Sequence, residues 1–266
     1  MAAKREELLK LAQSPEDRTL LSQLLDKQRQ AERYVRPAST AFLDLRQQTL
    51  CRQAMQAAGV GGWSLEGGFA QAERRVALFL PDYIQEAGQL PEEDWPFRAL
   101  RLEIRGQKPL THRDYLGSLM GLGLRRETIG DILPGSQGAD LLVMAEIAPY
   151  IQQNLTQVGS APASVQLISL SELEIPEAKI KIIRDTVPSL RLDAVLAAAF
   201  SMSRGDAAEA VRRGLAQVDG AQALKGDRPV AQGARLSIRG KGKAVLAETG
   251  GFSKKGRVNI EIHKLL

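Results

Sequence analysis

Arginines and lysines spaced along the last third of the 266-residue chain are its side chains with the clearest chemistry. Arg191 and Arg204 open two short helical patterns, and Arg212 and Arg213 close the second. Arg239 ends a strand pattern, and Lys241, Lys243, Lys254, Lys255 and Arg257 follow in glycine-containing turns. A guanidinium donates two parallel hydrogen bonds to a phosphate, and an ammonium supplies a point charge. Ser203 adds a hydroxyl able to cap the second helix, beside backbone amides that favour an anion. Arg212 and Arg213 have two open readings, phosphate contact or complement of the helix C-terminal dipole. Arg191 differs, because a cation at a helix start opposes the dipole and needs another reason to be there. From Ser189 onward there are 14 Lys or Arg against 7 Asp or Glu, whereas the rest of the chain holds 22 against 24. The basic excess therefore lies in the C-terminal segment, as expected of a surface that meets a polyanion.

Patterns for catalysis are weak by comparison. The single cysteine, Cys51, excludes an internal disulfide and a cysteine-rich zinc site. His112-Arg113-Asp114 mimics a kinase catalytic loop, but Leu119 stands where that loop needs asparagine. The glycine-rich stretch from Gly59 to Gly68 lacks a following Gly-Lys-Ser/Thr and reads as a loop between domains. His263 has no second ligand near it in sequence. No catalytic residue, metal site or cofactor is expected. His112 and Arg113, with Arg125 and Arg126, form a possible second phosphate-contacting edge; the plain alternative is a helix start and a solvated turn.

The elements that must hold these residues follow from periodicity. Ser14-Pro15-Glu16-Asp17 starts a helix carrying Leu20, Leu21, Leu24 and Leu25, which runs to about Val35. Asp44 opens another, stopped by Gly59. Val76 to Leu80 reads as a short buried strand. From Ala99 to Ile168 the order is strand, helix, strand, strand, helix, strand, the ferredoxin-like order used by RNA-recognition modules. Its third strand, Ala139 to Met144, carries no aromatic, so RNA contact there falls to loops and basic residues. Ser189 is expected to cap the helix through Leu192, Val195, Leu196 and Phe200, and Ser203 the next one, which Gly214 stops. Asp219-Gly220 and Gln232-Gly233 mark turns, and Ala244–Leu246 and Val258–Ile262 read as strands joined by a basic loop. The charged, amphipathic start, MAAKREELLKLAQ, lacks a signal-peptide core, and no apolar run approaches the ~20 residues of a membrane span. A cytoplasmic monomer without membrane insertion is expected.

RLD opening one helix, SR opening the next and RxGLxxVDG closing it resemble the alpha-L RNA-binding motif. The motif occurs in small-subunit ribosomal protein four, tyrosyl-tRNA synthetases and many pseudouridine synthases. Together with AERRVALFLP and LTHRDYLGSLMGLGLRRETIGDI, it makes the chain from about Phe42 onward similar to the YlmH family of bacterial RNA-binding proteins. Their cyanobacterial and plastid relatives carry a photosystem II-associated name.

This resemblance implies an α+β chain: a helical region over 1–70, a ferredoxin-like domain over 71–182 and an alpha-L domain over 183–266. It implies a non-enzymatic protein that binds structured RNA, rRNA and tRNA, on the large ribosomal subunit, with roles in cell division or in rescue of stalled subunits. By the same resemblance Arg191 and Arg204 face RNA. The alternative is an RNA-modifying enzyme, since RLD also surrounds the nucleophilic aspartate of pseudouridine synthases. Here Ala194-Val195-Leu196-Ala197 follows instead of Ser or Thr and Gly-Leu, so Asp193 is expected to pair with a neighbouring arginine. Relatives often have valine after Gly-Asp-Ile; Leu133-Pro134 stands here and leaves that strand's length open.

Overall fold

A computed structural model describes residues 6, 8–106, 110–177 and 179–265, so part of the amphipathic start lies outside the described residues. The chain divides into two compact units, Met1–Pro176 and Glu177–Leu266. In the first, α1 (Pro15–Tyr34) begins as expected: Ser14 accepts from the Asp17 amide, and Pro15 takes the first helical position. Next come β1 (Ala38–Ser39) and α2 (Leu45–Ala58), the latter opened by a reciprocal capping box between Asp44 and Gln47. The glycine-rich stretch is not simply a loop, for it contains β2 (Trp63–Glu66). Both β1 and β2 pair with β3 (Val76–Phe79), a fully buried strand at the centre of a three-stranded sheet. Leucines 20, 21 and 24 of α1 and Cys51, Ala54 and Met55 of α2 pack on one side of that sheet with Ala77 and Phe79.

The middle elements are β4 (Phe97–Ile104), α3 (His112–Gly121), β5 (Ile129–Pro134), β6 (Gly138–Met144), α4 (Ala148–Asn154), β7 (Gln157–Val158) and β8 (Ala161–Ile168). Their sheet order, β5-β6-β4-β8-β7 with every pair antiparallel, is that of a ferredoxin-like fold with a small added edge. Leu133-Pro134 does not shorten β5, because Pro134 still pairs with Ala139 at its end. Alternation sends Leu100, Leu102, Leu141 and Val143 toward α3 and α4, where Tyr115, Leu119 and Ile151 meet them. The opposite face carries Phe97, Ala99 and Leu142, buried under Phe42, Val76 and Leu78. A half-buried polar joint fixes this contact. Asp131 accepts from the amides of Glu73 and Arg74 at 2.6 and 3.0 Å, and Arg74 donates to the carbonyls of Phe42 and Ile129. Burial pushes the Asp131 carboxyl up and the Arg74 guanidinium down from their ordinary values.

The second unit opens with β9 (Ile180–Val187), a strand with no counterpart in the sequence reading. Helices α5 (Leu192–Phe200) and α6 (Arg204–Arg212) follow, then β10 (Ala216–Val218), β11 (Ala221–Gln222), β12 (Arg235–Ile238), β13 (Gly242–Phe252) and β14 (Val258–Leu265). One sheet in the order β11-β10-β12-β13-β14-β9 holds them. Since β9 pairs with β14 over eight positions from Ile180 on, the second unit begins ahead of residue 183. The apolar stripe of α5 and Ala207, Ala210 and Val211 of α6 cover one sheet face through Leu236, Leu246 and Ile262. Asp219 and Gly220, with φ of 51° and 77°, make the tight turn joining β10 to β11.

Gly214, at φ 68°, ends α6, and a Cβ there would lie 2.0 Å from Nε2 of Gln222. That amide can swing away, so Gly214→Ala should cost chiefly the left-handed backbone, about 1 kcal/mol. A thermal midpoint a few degrees lower, with the native spectrum retained, is the expected result.

Candidate nucleic-acid interface

At the start of α5 two arginines share one carboxylate. Ser189 does not cap this helix; the capping position belongs to Arg191, which makes no side-chain cap. The first free amides are satisfied from the chain itself: Leu192 donates to the Arg228 carbonyl and Asp193 to that of Gly226, both at 2.9 Å. This helix terminus is therefore closed to phosphate, and its anion chemistry must come from side chains.

Asp193 organises them. It is 6% exposed. Arg191 grips it with Nε at 3.3 Å and Nη2 at 3.0 Å, while Arg204, from the first turn of α6, reaches it with Nη2 at 3.2 Å. Burial raises the Asp193 carboxyl, but the two guanidiniums together outweigh it and hold the group below its ordinary value. Hydrogen bonding to Asp193 raises Arg191 in turn. The arginine side chains stay 43% and 48% exposed, so a buried carboxylate presents two fixed guanidiniums to solvent. The loop supplying the Gly226 and Arg228 carbonyls adds the exposed cations Lys225 and Arg228, with Asp227 between them. Sequence reading missed this pair; the signal was KGDRP, cations around turn residues.

Ser203 caps α6: its hydroxyl accepts from the Asp206 amide at 3.0 Å and donates to Asp206 Oδ2 at 2.7 Å. Arg212 is ion-paired with Glu209 one turn back. The Arg239 amide donates to the Leu215 carbonyl, which brings Arg239 beside the Arg212-Arg213-Gly214 turn, with Lys241 just beyond. These cations lie one helix length from Arg204, about 13 Å for nine residues. Lys243 pairs across the strands with Ser237 near the same end of β13. Lys254 and Lys255 occupy the other end, beyond 11 residues of strand, roughly 35 Å away. Arg257 is only half-exposed, because it donates to the hydroxyl and the carbonyl of Thr186 and so fastens the hairpin to β9.

In the first unit, His112 and Arg113 open α3 whereas Arg125 and Arg126 follow its far end. The helix separates them by about 15 Å, so they are not one cluster. Arg125 is exposed and paired with Glu127 at 3.3 Å. Arg126 points inward, donating to the carbonyls of Ile129 and Gly130; burial, helped by Arg74, pushes it down to about 10. The sheet face on which RNA-recognition modules stack bases is the one occupied by Phe42, Val76 and Leu78. Any RNA contact by these elements is left to their loops and helices.

A family model described as "Putative RNA-binding domain in YlmH" matches residues 97–172. The chain is 35% identical over 251 residues to the ribosome-associated protein quality control protein P2 of Bacillus subtilis, covering 94% of this chain and 95% of that protein. A solved structure of the cell division protein YlmH from Streptococcus pneumoniae aligns with a TM-score of 0.48 at 24% identity, over 61% of this chain and 98% of that one. With a relative this similar along nearly its whole length, the chain belongs to the YlmH family.

Proposed function

We propose that this chain is a non-catalytic RNA-binding protein that docks on the large ribosomal subunit, through ribosomal RNA or tRNA bound to it, in the quality control of stalled translation. The carrying observation is the pair Arg191 and Arg204 fixed by the buried Asp193, with Lys225 and Arg228 on the adjoining loop. Two half-exposed guanidiniums held about a common carboxylate offer outward N–H donors at low entropic cost, which suits phosphate oxygens. The ribosome-associated quality control relative supports the choice of ribosomal RNA over other polyanions. In this reading the protein works in the cytoplasm as a monomer. Among the described residues no helix is long and apolar enough to cross a membrane.

The competing enzymatic reading would make Asp193 a nucleophile. Against it, both carboxylate oxygens accept from arginine, and the residue is buried at a helix start whose amides are already satisfied. Crosslinking the protein to RNA in cells and sequencing the attached fragments tests the proposal. Enrichment of large-subunit rRNA and tRNA is expected; recovery of messenger RNA alone, or no recovery above background, would overturn it.

A further inference from the structure

Trp95 lines a pocket in the first unit together with Ser64, Glu66, Gln85 and Glu86; Trp63 borders it from β2, but its indole packs with Phe79 on the opposite face of that sheet. The Trp95 indole is steadied by the buried Phe97, 5.3 Å away between ring centroids. Trp95 remains partly exposed. The surroundings reverse the charge of the rest of the molecule. From Val76 to Phe97 the chain holds Asp82, Glu86, Glu92, Glu93 and Asp94 and no lysine or arginine, within a protein of net charge +5. Glu92 is used internally, accepting from Ser169 and Leu170, but Glu66 and Glu86 face the pocket as lining residues. The flanking cations hold backbone carbonyls. Arg75 donates to the carbonyls of Leu65, Ala70 and Ala72, and Arg98 to those of Glu93, Trp95 and Phe97.

Indole faces attract cations more strongly than other aromatic rings do, and carboxylates beside them add Coulombic attraction. The same carboxylates repel phosphate, which sets this surface apart from the basic residues of the second unit. Rigid tryptophans are also the side chains that most often dominate protein interfaces. We propose that this pocket is a protein-docking site that takes an arginine or lysine side chain from a basic peptide segment of a partner. The inference stands whether or not the RNA reading holds.

The chain has two tryptophans, so in Trp63→Phe the intrinsic tryptophan fluorescence comes from Trp95 and reports on this pocket. Titrating the full-length Trp63→Phe protein with a short arginine–glycine peptide should give a saturable change in that emission. Binding should weaken by at least about tenfold in Glu66→Gln/Glu86→Gln. Should the double variant unfold at a lower temperature, Glu86→Gln alone, at an exposed position, should still weaken binding. No saturable change, or one that the variants leave intact, would overturn the proposal. So would an equal response to a glutamate–glycine peptide. A saturable response to an oligouridylate, with none to the basic peptide, would instead make the pocket a base-stacking platform and equally overturn it.

Discussion

Asp193→Asn should weaken RNA binding by about tenfold, or ~1.4 kcal/mol, although it removes a negative charge from a basic surface. Long-range electrostatics alone predicts the opposite sign, since deleting an acid near phosphate strengthens attraction. The difference arises because Asp193 fixes both Arg191 and Arg204 through 3.0–3.3 Å hydrogen bonds. Asparagine keeps one acceptor but turns an amide donor toward guanidinium donors, so at least one arginine is released. The same change should cost about 1–3 kcal/mol of folding stability, below the value for a fully buried pair because both arginines are half-exposed. Stability should also change its pH dependence. The folded carboxyl lies below its ordinary value of 3.8, so its contribution is complete above that pH and fades as pH falls through the folded value. Urea titrations at neutral and acid pH should therefore show the variant's deficit shrinking in acid. Unchanged or tighter RNA binding would mean that Asp193 does not position the arginines.

What could be read from the sequence was mostly punctuation and local period. Ser14-Pro15, Asp44, Gly59, Ser203 and Asp219-Gly220 act through neighbours a few residues away, and each does locally what its type suggests. The strand β9 escaped because its partner lies more than 70 residues later and its outer face is apolar: Ile180 and Ile182 are 45% and 54% exposed. Its alternation therefore does not separate a wet face from a dry one. Cap assignment failed at Ser189 because distant carbonyls, those of Gly226 and Arg228, satisfy the helix start. Arg125 and Arg126 are identical in sequence terms, yet one is exposed and the other is drawn inward by the carbonyls of β5. Nor could the sequence say that the middle sheet's base-stacking face is covered, since that depends on β3 arriving from the other side. The site itself was half legible: Arg191, Arg204 and the local pairing of Asp193 were visible, whereas the loop with Lys225 and Arg228 was not.

The central claim is that Arg191 and Arg204 together contact RNA phosphates. Phosphate contacts release counterions, each steepening the dependence of log affinity on log salt by about 0.7–0.9. The most direct test is RNA binding by the wild type and by Arg191→Ala/Arg204→Ala across a salt titration, with folding monitored in parallel. Loss of affinity of at least about tenfold at low salt is expected, with a salt slope shallower by about 1.5 to 2. Equal affinity and an unchanged slope in a folded double variant would contradict it.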